Sequence, residues 1–277
     1  MKERLWLNVA LLAAVAALAL FAYFRPRGGE PAYRLSTLKP AEVKTIRIET
    51  AGAAPIALER AGPDWRLTAP LAARADGFQV QSMLEILDAT AQVRYPATGL
   101  ARFDLNEPGT RLTLERQEFD FGTVNPMSRE QYVLTQNGVY PVPVRYRMAL
   151  PKDALQLASR QLFAADETPV AFEFRDFRVA QQDGKWQLAP PAADASQDDF
   201  VRWVEEWKLA TAIALQPASG RKAIATVRIR LKGGAEITLA VLVREPELVL
   251  ARGDQAFEYQ FAAGTAKRLL APPAPAK

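Results

Sequence analysis

The sequence predicts an α+β protein: an N-terminal transmembrane helix followed by two related repeats, each of antiparallel β-meanders with one amphipathic helix packed on the sheet. Three observations predict it. Residues Leu5 to Phe24 are apolar except for Asn8. The pattern Trp65-x-Leu67-x-x-Pro70 returns as Trp186-x-Leu188-x-x-Pro191, each residue 121 positions after its counterpart. Each copy follows runs that alternate apolar and polar side chains and precedes a stretch with helical spacing. The resulting order is a cytoplasmic tail (1–4), a transmembrane anchor (5–24), a linker (25–32), a first β-rich repeat (33–150), a connecting helix (151–167), a second β-rich repeat (168–270) and a Pro-rich tail (271–277).

Twenty helical residues span about 30 Å, the thickness of a bilayer core. Trp6 and Tyr23 stand near the two ends of the apolar run, where interfacial aromatics are favoured. Lys2 and Arg4 precede it and place the N-terminus in the cytoplasm of a bacterial inner membrane, with the body periplasmic. Arg25 and Arg27 after the run weaken that charge bias. Ala17-Leu18-Ala19 also resembles a signal-peptide cleavage site, but the apolar run continues past it to Phe24.

In the first repeat, Val43–Glu49, Ile56–Arg60 and Trp65–Leu67 read as three strands joined by turns at Ala51-Gly52 and Gly62-Pro63-Asp64. Asp76 is placed to cap a helix whose Val80, Met83, Leu84 and Leu87 form one apolar stripe, expected to cover Trp65. Val93 and Tyr95 suggest a short strand, and residues 99–109 a loop. Arg111–Glu115, Phe119–Gly122, Tyr132–Leu134 and Val139-Tyr140 continue as a meander, with Asn137-Gly138 the strongest hairpin signal. Residues 152–163 suggest a helix joining the repeats.

The second repeat follows the same order. Val170, Phe172 and Phe174 alternate, Asp183-Gly184 turns the chain into Trp186, and Ser196 with Asp199 forms a near capping box. Phe200, Trp203, Val204 and Trp207 are the helix stripe. Leu112 and Leu114 then correspond to Val227 and Ile229, 115 positions later, so the second copy lacks part of the segment around Asn106. Gly233-Gly234 and Gly253-Asp254 mark the last two hairpins.

Composition narrows the chemistry. With no Cys and no His, thiolate or imidazole metal sites, cysteine nucleophiles and a Ser-His-Asp triad are all excluded. The net charge of +4 is concentrated around the apolar segment, so the body is near neutral and nucleic acid is not an expected partner. No cofactor or metal is expected. Carboxylate chemistry remains formally open, but Glu118/Asp120 and Asp198, Asp199, Glu205 and Glu206 read better as solvated faces and helix-dipole complements. Trp65 and Trp186 read as core residues at strand–helix contacts rather than a carbohydrate platform. Trp203 and Trp207 share a helix face with Phe200 and Val204 and read as core, with a partner surface as the alternative. Arg145, Arg147, Lys152 and Arg160 cluster between the repeats and read as a solvated junction, with lipid headgroups or an acidic partner as the alternative. The possible partner surface is therefore Trp203, Trp207, Arg145 and Arg147.

The Ile46-x-Ile48 strand, the Trp65-x-Leu67-x-x-Pro70 motif, Ala75-Asp76 with its helix, Gly99-Leu100, Phe121-Gly122 and the Tyr132/Val139-Tyr140 hairpin resemble the bacterial domain of unknown function 4340. The resemblance implies an N-terminal anchoring helix and related β-rich halves, and some members lie beside ABC-type export systems related to gliding-motility transporters. It supplies no catalytic residues. The expected function is therefore a non-enzymatic, single-pass envelope protein that binds a partner such as an ABC-type transporter. The alternative is a binding module for an envelope polymer or small ligand held between the repeats. A carboxylate-dependent hydrolase would need two facing acids in a pocket.

Overall fold

The computed structural model describes residues 12, 14–16, 20, 32–191 and 195–275. Most of the expected anchor, the tail before it and most of the linker lie outside the described residues, as do 276–277. Among the described residues, no helix is long and apolar enough to cross a membrane.

The elements of the first half are β1 (Tyr33–Arg34), β2 (Thr45–Thr50), β3 (Ile56–Ala61), β4 (Asp64–Ala69), β5 (Ala73–Arg74), α1 (Gly77–Leu84), β6 (Thr90–Ala91), β7 (Thr110–Leu114), β8 (Gln117–Val124), β9 (Glu130–Thr135), β10 (Gly138–Pro143) and α2 (Arg145–Met148). Those of the second are β11 (Pro169–Glu173), β12 (Arg178–Gln182), β13 (Lys185–Ala189), α3 (Gln197–Lys208), β14 (Ala214–Pro217), β15 (Ala225–Leu231), β16 (Glu236–Val243), β17 (Leu248–Arg252), β18 (Phe257–Phe261) and α4 (Thr265–Leu269).

Apart from β1 and β6, which pair with each other, the strands form two eight-stranded antiparallel sheets, ordered β10-β9-β8-β7-β2-β3-β4-β5 and β13-β12-β11-β15-β16-β17-β18-β14. The two orders share one topology. A three-stranded meander (β4-β3-β2, or β13-β12-β11) is joined through its first strand to a four-stranded meander (β7 to β10, or β15 to β18). The helix is inserted between the meanders in sequence. After it, the chain returns to the far edge and meets the last strand. In the second sheet this return is β14 beside β18. In the first it shrinks to one bridge, Tyr95 with Val139.

Alternation along the strands decides which face is buried. Ile46 and Ile48, Leu58, Trp65 and Leu67, and Leu112 and Leu114 all point into the core that α1 covers. Asp76 caps α1 by accepting from the N–H groups of Phe78 and Gln79, and Ser196 caps α3 in a capping box with Asp199. The helix stripes correspond at an offset of 120: Val80 with Phe200, Met83 with Trp203, Leu84 with Val204, Leu87 with Trp207, all buried.

Five expectations need correction. First, residues 151–167 are not a helix. They hold one 3-10 turn, Ala154–Gln156, and then an extended strand that bridges Ala158 to Ala75 and Gln161 to Thr211. Backbone pairing on both sides outweighs a weak helical spacing. Second, the counterpart of Pro70 is Pro190 and not Pro191. Thr68 is an extra residue in β4, marked by a register shift between Ala57 and Leu58 of β3, whereas β13 pairs with β12 without interruption. Pro70 and Pro190 both follow cis peptide bonds.

Third, residues 99–109 are not a plain loop. A 3-10 helix, Leu100–Phe103, seats Phe103 and Leu105 against Val139 on the outer face of the first sheet. Gly122 permits this approach, since a Cβ there would lie 2.2 Å from the carbonyl oxygen of Phe103. Fourth, the C-terminal stretch is partly packed. Leu269 and Pro273 are buried, and Ala271 accepts a hydrogen bond from the core.

Fifth, Trp203 and Trp207 are core, in line with the favoured reading, and the alternative of a partner surface on them is overturned. They are 5% and 0% exposed. Trp203 stacks edge-on against Phe172 with ring centroids 4.8 Å apart. Their indole N–H groups donate to Ala271 O (2.9 Å) and Leu269 O (3.1 Å), so α4 and the tail close over them. Trp207→Ala is expected to cost about 3–5 kcal/mol in urea-induced unfolding. Trp203→Phe, which keeps a ring and loses one hydrogen bond, should cost about 1 kcal/mol. A Trp207→Ala protein within about 0.5 kcal/mol of the parent would contradict a core role.

Candidate functional site

The Trp-x-Leu motif pins each helix to the edge of its sheet. Trp65 and Trp186 are 6% and 8% exposed and face the core. Their outward backbone groups receive the start of the following helix. In the first repeat Ala75 N–H donates to Trp65 O (2.9 Å). In the second the Gln197 side chain does this work, accepting from Trp186 N–H (3.0 Å) and donating to Trp186 O (2.8 Å). Leu67 is buried, Leu188 half-buried, and Pro70 and Pro191 are exposed. The motif is structural, and no aromatic platform is available from these four tryptophans.

Of the acidic clusters, Asp198 is exposed and the other members are engaged in pairs. Asp120 is buried and, with Glu118, holds Arg111 in an ion pair across β7 and β8. Asp199 bonds Ser196 and Arg202. The Ser196 hydroxyl and N–H, helped by Arg202, hold its carboxyl below the ordinary aspartate range. Glu205 pairs with Lys208 and Glu206 with Arg268. Arg145 is exposed, lies over the Tyr146 ring at 4.9 Å and donates to its hydroxyl, while Arg147 is half-buried.

The repeats meet along the strand 157–162. On one side Ser159 N–H donates to Arg74 O (2.8 Å) and Asp76 N–H to Leu157 O (2.7 Å). On the other, Leu162 N–H donates to Ala210 O (3.0 Å) and Ala212 N–H to Arg160 O (2.9 Å). Side chains lock the same strand. Arg74, from the first repeat, donates to Gln161 O (2.7 Å) and Leu162 O (3.2 Å). Arg252, from the second, donates to the same Leu162 O (2.7 Å). Arg252 also holds Glu167 (2.8 Å) and Asp254 (2.7 Å).

Arg252 is 4% exposed, so its charge must be matched. Burial disfavours its charged form, but Glu167 and Asp254 outweigh that and raise its pKa. Burial likewise opposes ionisation of Glu167, yet Arg252 and the Ala164 N–H hold its pKa below the ordinary glutamate value. Asp254 is lowered in the same way. A depressed carboxylate is unsuited to act as a general acid near neutral pH.

Two grooves flank this strand. One, of about 720 Å³, lies beside Trp65, Arg74, Phe78, Gln161 and Glu167. The other, of about 810 Å³, is lined by Pro70, Leu71, Leu155, Ile213, Leu215 and Pro217, among others. Arg160 borders both. Sequence reading placed Arg160 between the repeats but missed Arg74, Arg252 and Glu167. Glu167 and Arg252 are 85 residues apart, and no local spacing connects them.

These features define a class: a β-rich protein of two repeat-like antiparallel sheets, joined by a shared strand that hydrogen-bonds to both. More particularly, the chain belongs to the family described as Domain of unknown function (DUF4340), whose model matches residues 65–214, from the first motif tryptophan across the junction to the start of β14. No curated protein and no solved structure matches the chain.

Glu167 and Asp254 have folded-state pKa values below their unfolded ones, so the stability they contribute is present above about pH 4 and is lost as pH falls through the lower folded values. Glu167→Gln is therefore expected to lower unfolding free energy by about 3 kcal/mol at pH 7, with the gap to the parent narrowing below about pH 4. A gap that stays constant from pH 7 to pH 3 would contradict the assignment.

Proposed function

We propose that this protein is a non-enzymatic, single-pass envelope protein of the bacterial inner membrane. Its periplasmic two-repeat body acts as an accessory or scaffold for a partner such as an ABC-type transport system. Membrane attachment rests on the apolar run Leu5–Phe24, and the transporter on the family resemblance. The observation that carries partner binding is the junction. Its two grooves expose apolar side chains, Phe78 at 77% and Ile213 at 50%, while Asp120, Asp199 and the tryptophans Trp65, Trp186, Trp203 and Trp207 serve the fold. The alternative of an envelope polymer or small ligand between the repeats keeps the grooves but loses its aromatic support.

Affinity purification of the full chain from detergent-solubilised membranes should recover a reproducible membrane-protein partner. Recovery should fall about tenfold with Phe78→Asp or Ile213→Asp. A C-terminal alkaline phosphatase fusion should be active. No reproducible partner, or an inactive but well-expressed fusion, would count against the reading.

A further inference from the structure

We infer that the end of the first sheet at which the chain enters the body docks on anionic phospholipid headgroups of the membrane that anchors it. This inference rests on the membrane-anchoring reading and adds which end of the body faces the bilayer and what it recognises there.

The covalent chain limits where the body can go. Eight residues, 25–32, separate the apolar run from Tyr33. A fully extended chain of that length reaches about 30 Å, so Tyr33 stays within that distance of the bilayer. Strand β1 fixes Tyr33 to the body by pairing with β6. The Gln117 side chain then accepts from the Ser36 hydroxyl (2.6 Å) and donates to Leu35 O (3.2 Å). Gln117 opens β8, just after the β7–β8 turn. Antiparallel pairing brings that turn (115–116), the turns 62–63 and 136–137 and the start of β2 to one end of the sheet. The chain therefore enters at this end. The turns 51–55 and 125–129 lie at the other.

The entry end is basic. Arg34, Lys39, Lys44, Arg94 and Arg116 are all exposed there, and among the described residues none pairs with a carboxylate. The Arg94 guanidinium lies over the exposed Tyr33 ring at 5.7 Å. An amphipathic ring beside a cation suits the headgroup layer. The nearby acids do not cancel the cations. Glu115 is turned to the backbone, accepting from the N–H groups of Lys44 and Thr45, and Glu42 accepts from Lys39 N–H (3.0 Å). Glu59 stands across from Arg66, which leaves the exposed Asp64 and Asp88. The opposite end lacks such a cluster: the turn 51–55 carries no charge, and the loop 125–129 only Arg129. Cations held near an anionic lipid surface each add to the attraction. The short tether strengthens the effect, because it keeps this end at high local concentration beside the bilayer.

The chain has no cysteine, so a single introduced cysteine can carry a dye. Gln136→Cys, exposed at the entry end, and Met127→Cys, exposed at the opposite one, are labelled in the full chain and reconstituted in lipid nanodiscs with a nitroxide quencher on the headgroups. In phosphatidylcholine containing about one-third phosphatidylglycerol, quenching at position 136 should exceed that at 127 at least about threefold. The excess should fall sharply in pure phosphatidylcholine, in about 1 M NaCl, and in the triple variant Arg34→Glu, Lys44→Glu, Arg116→Glu. These three side chains are exposed, so circular dichroism should report an unchanged fold. Equal quenching at the two positions, or an excess indifferent to lipid charge and salt, would overturn the inference and leave the anchor standing, since the chain still co-purifies with the discs. A chain that enters neither kind of disc contradicts the anchor reading itself, and this inference falls with it.

Discussion

One carbonyl oxygen, that of Leu162, accepts hydrogen bonds from an arginine of each repeat. Arg74 reaches it from β5 and Arg252 from β17. Arg252 is held within the second half and its connecting segment by Asp254 and Glu167, and Arg74 brings the first half to the same carbonyl. Glu167 and Asp254 balance Arg252, and the Leu162 side chain itself is fully buried in the core. Breaking one member of such a buried pair leaves an unmatched charge, which costs more than the intact pair contributes. The lock therefore acts mainly on specificity: it selects one way for the two repeats to meet. Arg160 of this strand borders both grooves.

The halves share topology and differ where their surroundings differ. Tyr33–Arg34 pairs with Thr90–Ala91 in the first half, as the strand around Gln161 pairs with Thr211 in the second. Each repeat is thus preceded by a short strand that joins the segment after its helix. Beyond that frame the outer faces diverge. The first sheet covers Val139 with Phe103 and Leu105. The second has a shorter connection there and uses polar contacts instead, with Glu258 accepting from Ser219 N–H (2.6 Å). The helix stripes diverge in size, Met83 and Leu87 giving way to Trp203 and Trp207. The larger indoles bring N–H groups that need acceptors, and the C-terminal stretch supplies them.

Much of this was legible in the sequence because its causes are local. Period-2 alternation marked β2, β3 and β15, Asn137-Gly138 marked the β9–β10 hairpin, and Asp76 and Ser196 marked the helix starts. The misreadings have non-local causes. Residues 152–163 have apolar spacing compatible with a helix, and their pairing partners lie at Ala75 and Thr211, far away in sequence. Trp203 and Trp207 share a helix face with Phe200 and Val204, which favoured the core but left a partner surface open. Aligning the helices at 120 rather than 121 would have matched them to Met83 and Leu87, and that shift was hidden by the extra residue Thr68. The junction lock was not legible, since Arg74 and Glu167 lie far in sequence from the Arg252/Asp254 pair and no local spacing connects them.

The central claim is that the two repeats behave as one cooperative body held by the Leu162 junction. Calorimetry of the full chain tests it most directly. A single transition is expected, with van't Hoff and calorimetric enthalpies equal, and Arg252→Met should split it into two. Two independent transitions in the parent protein would contradict the claim.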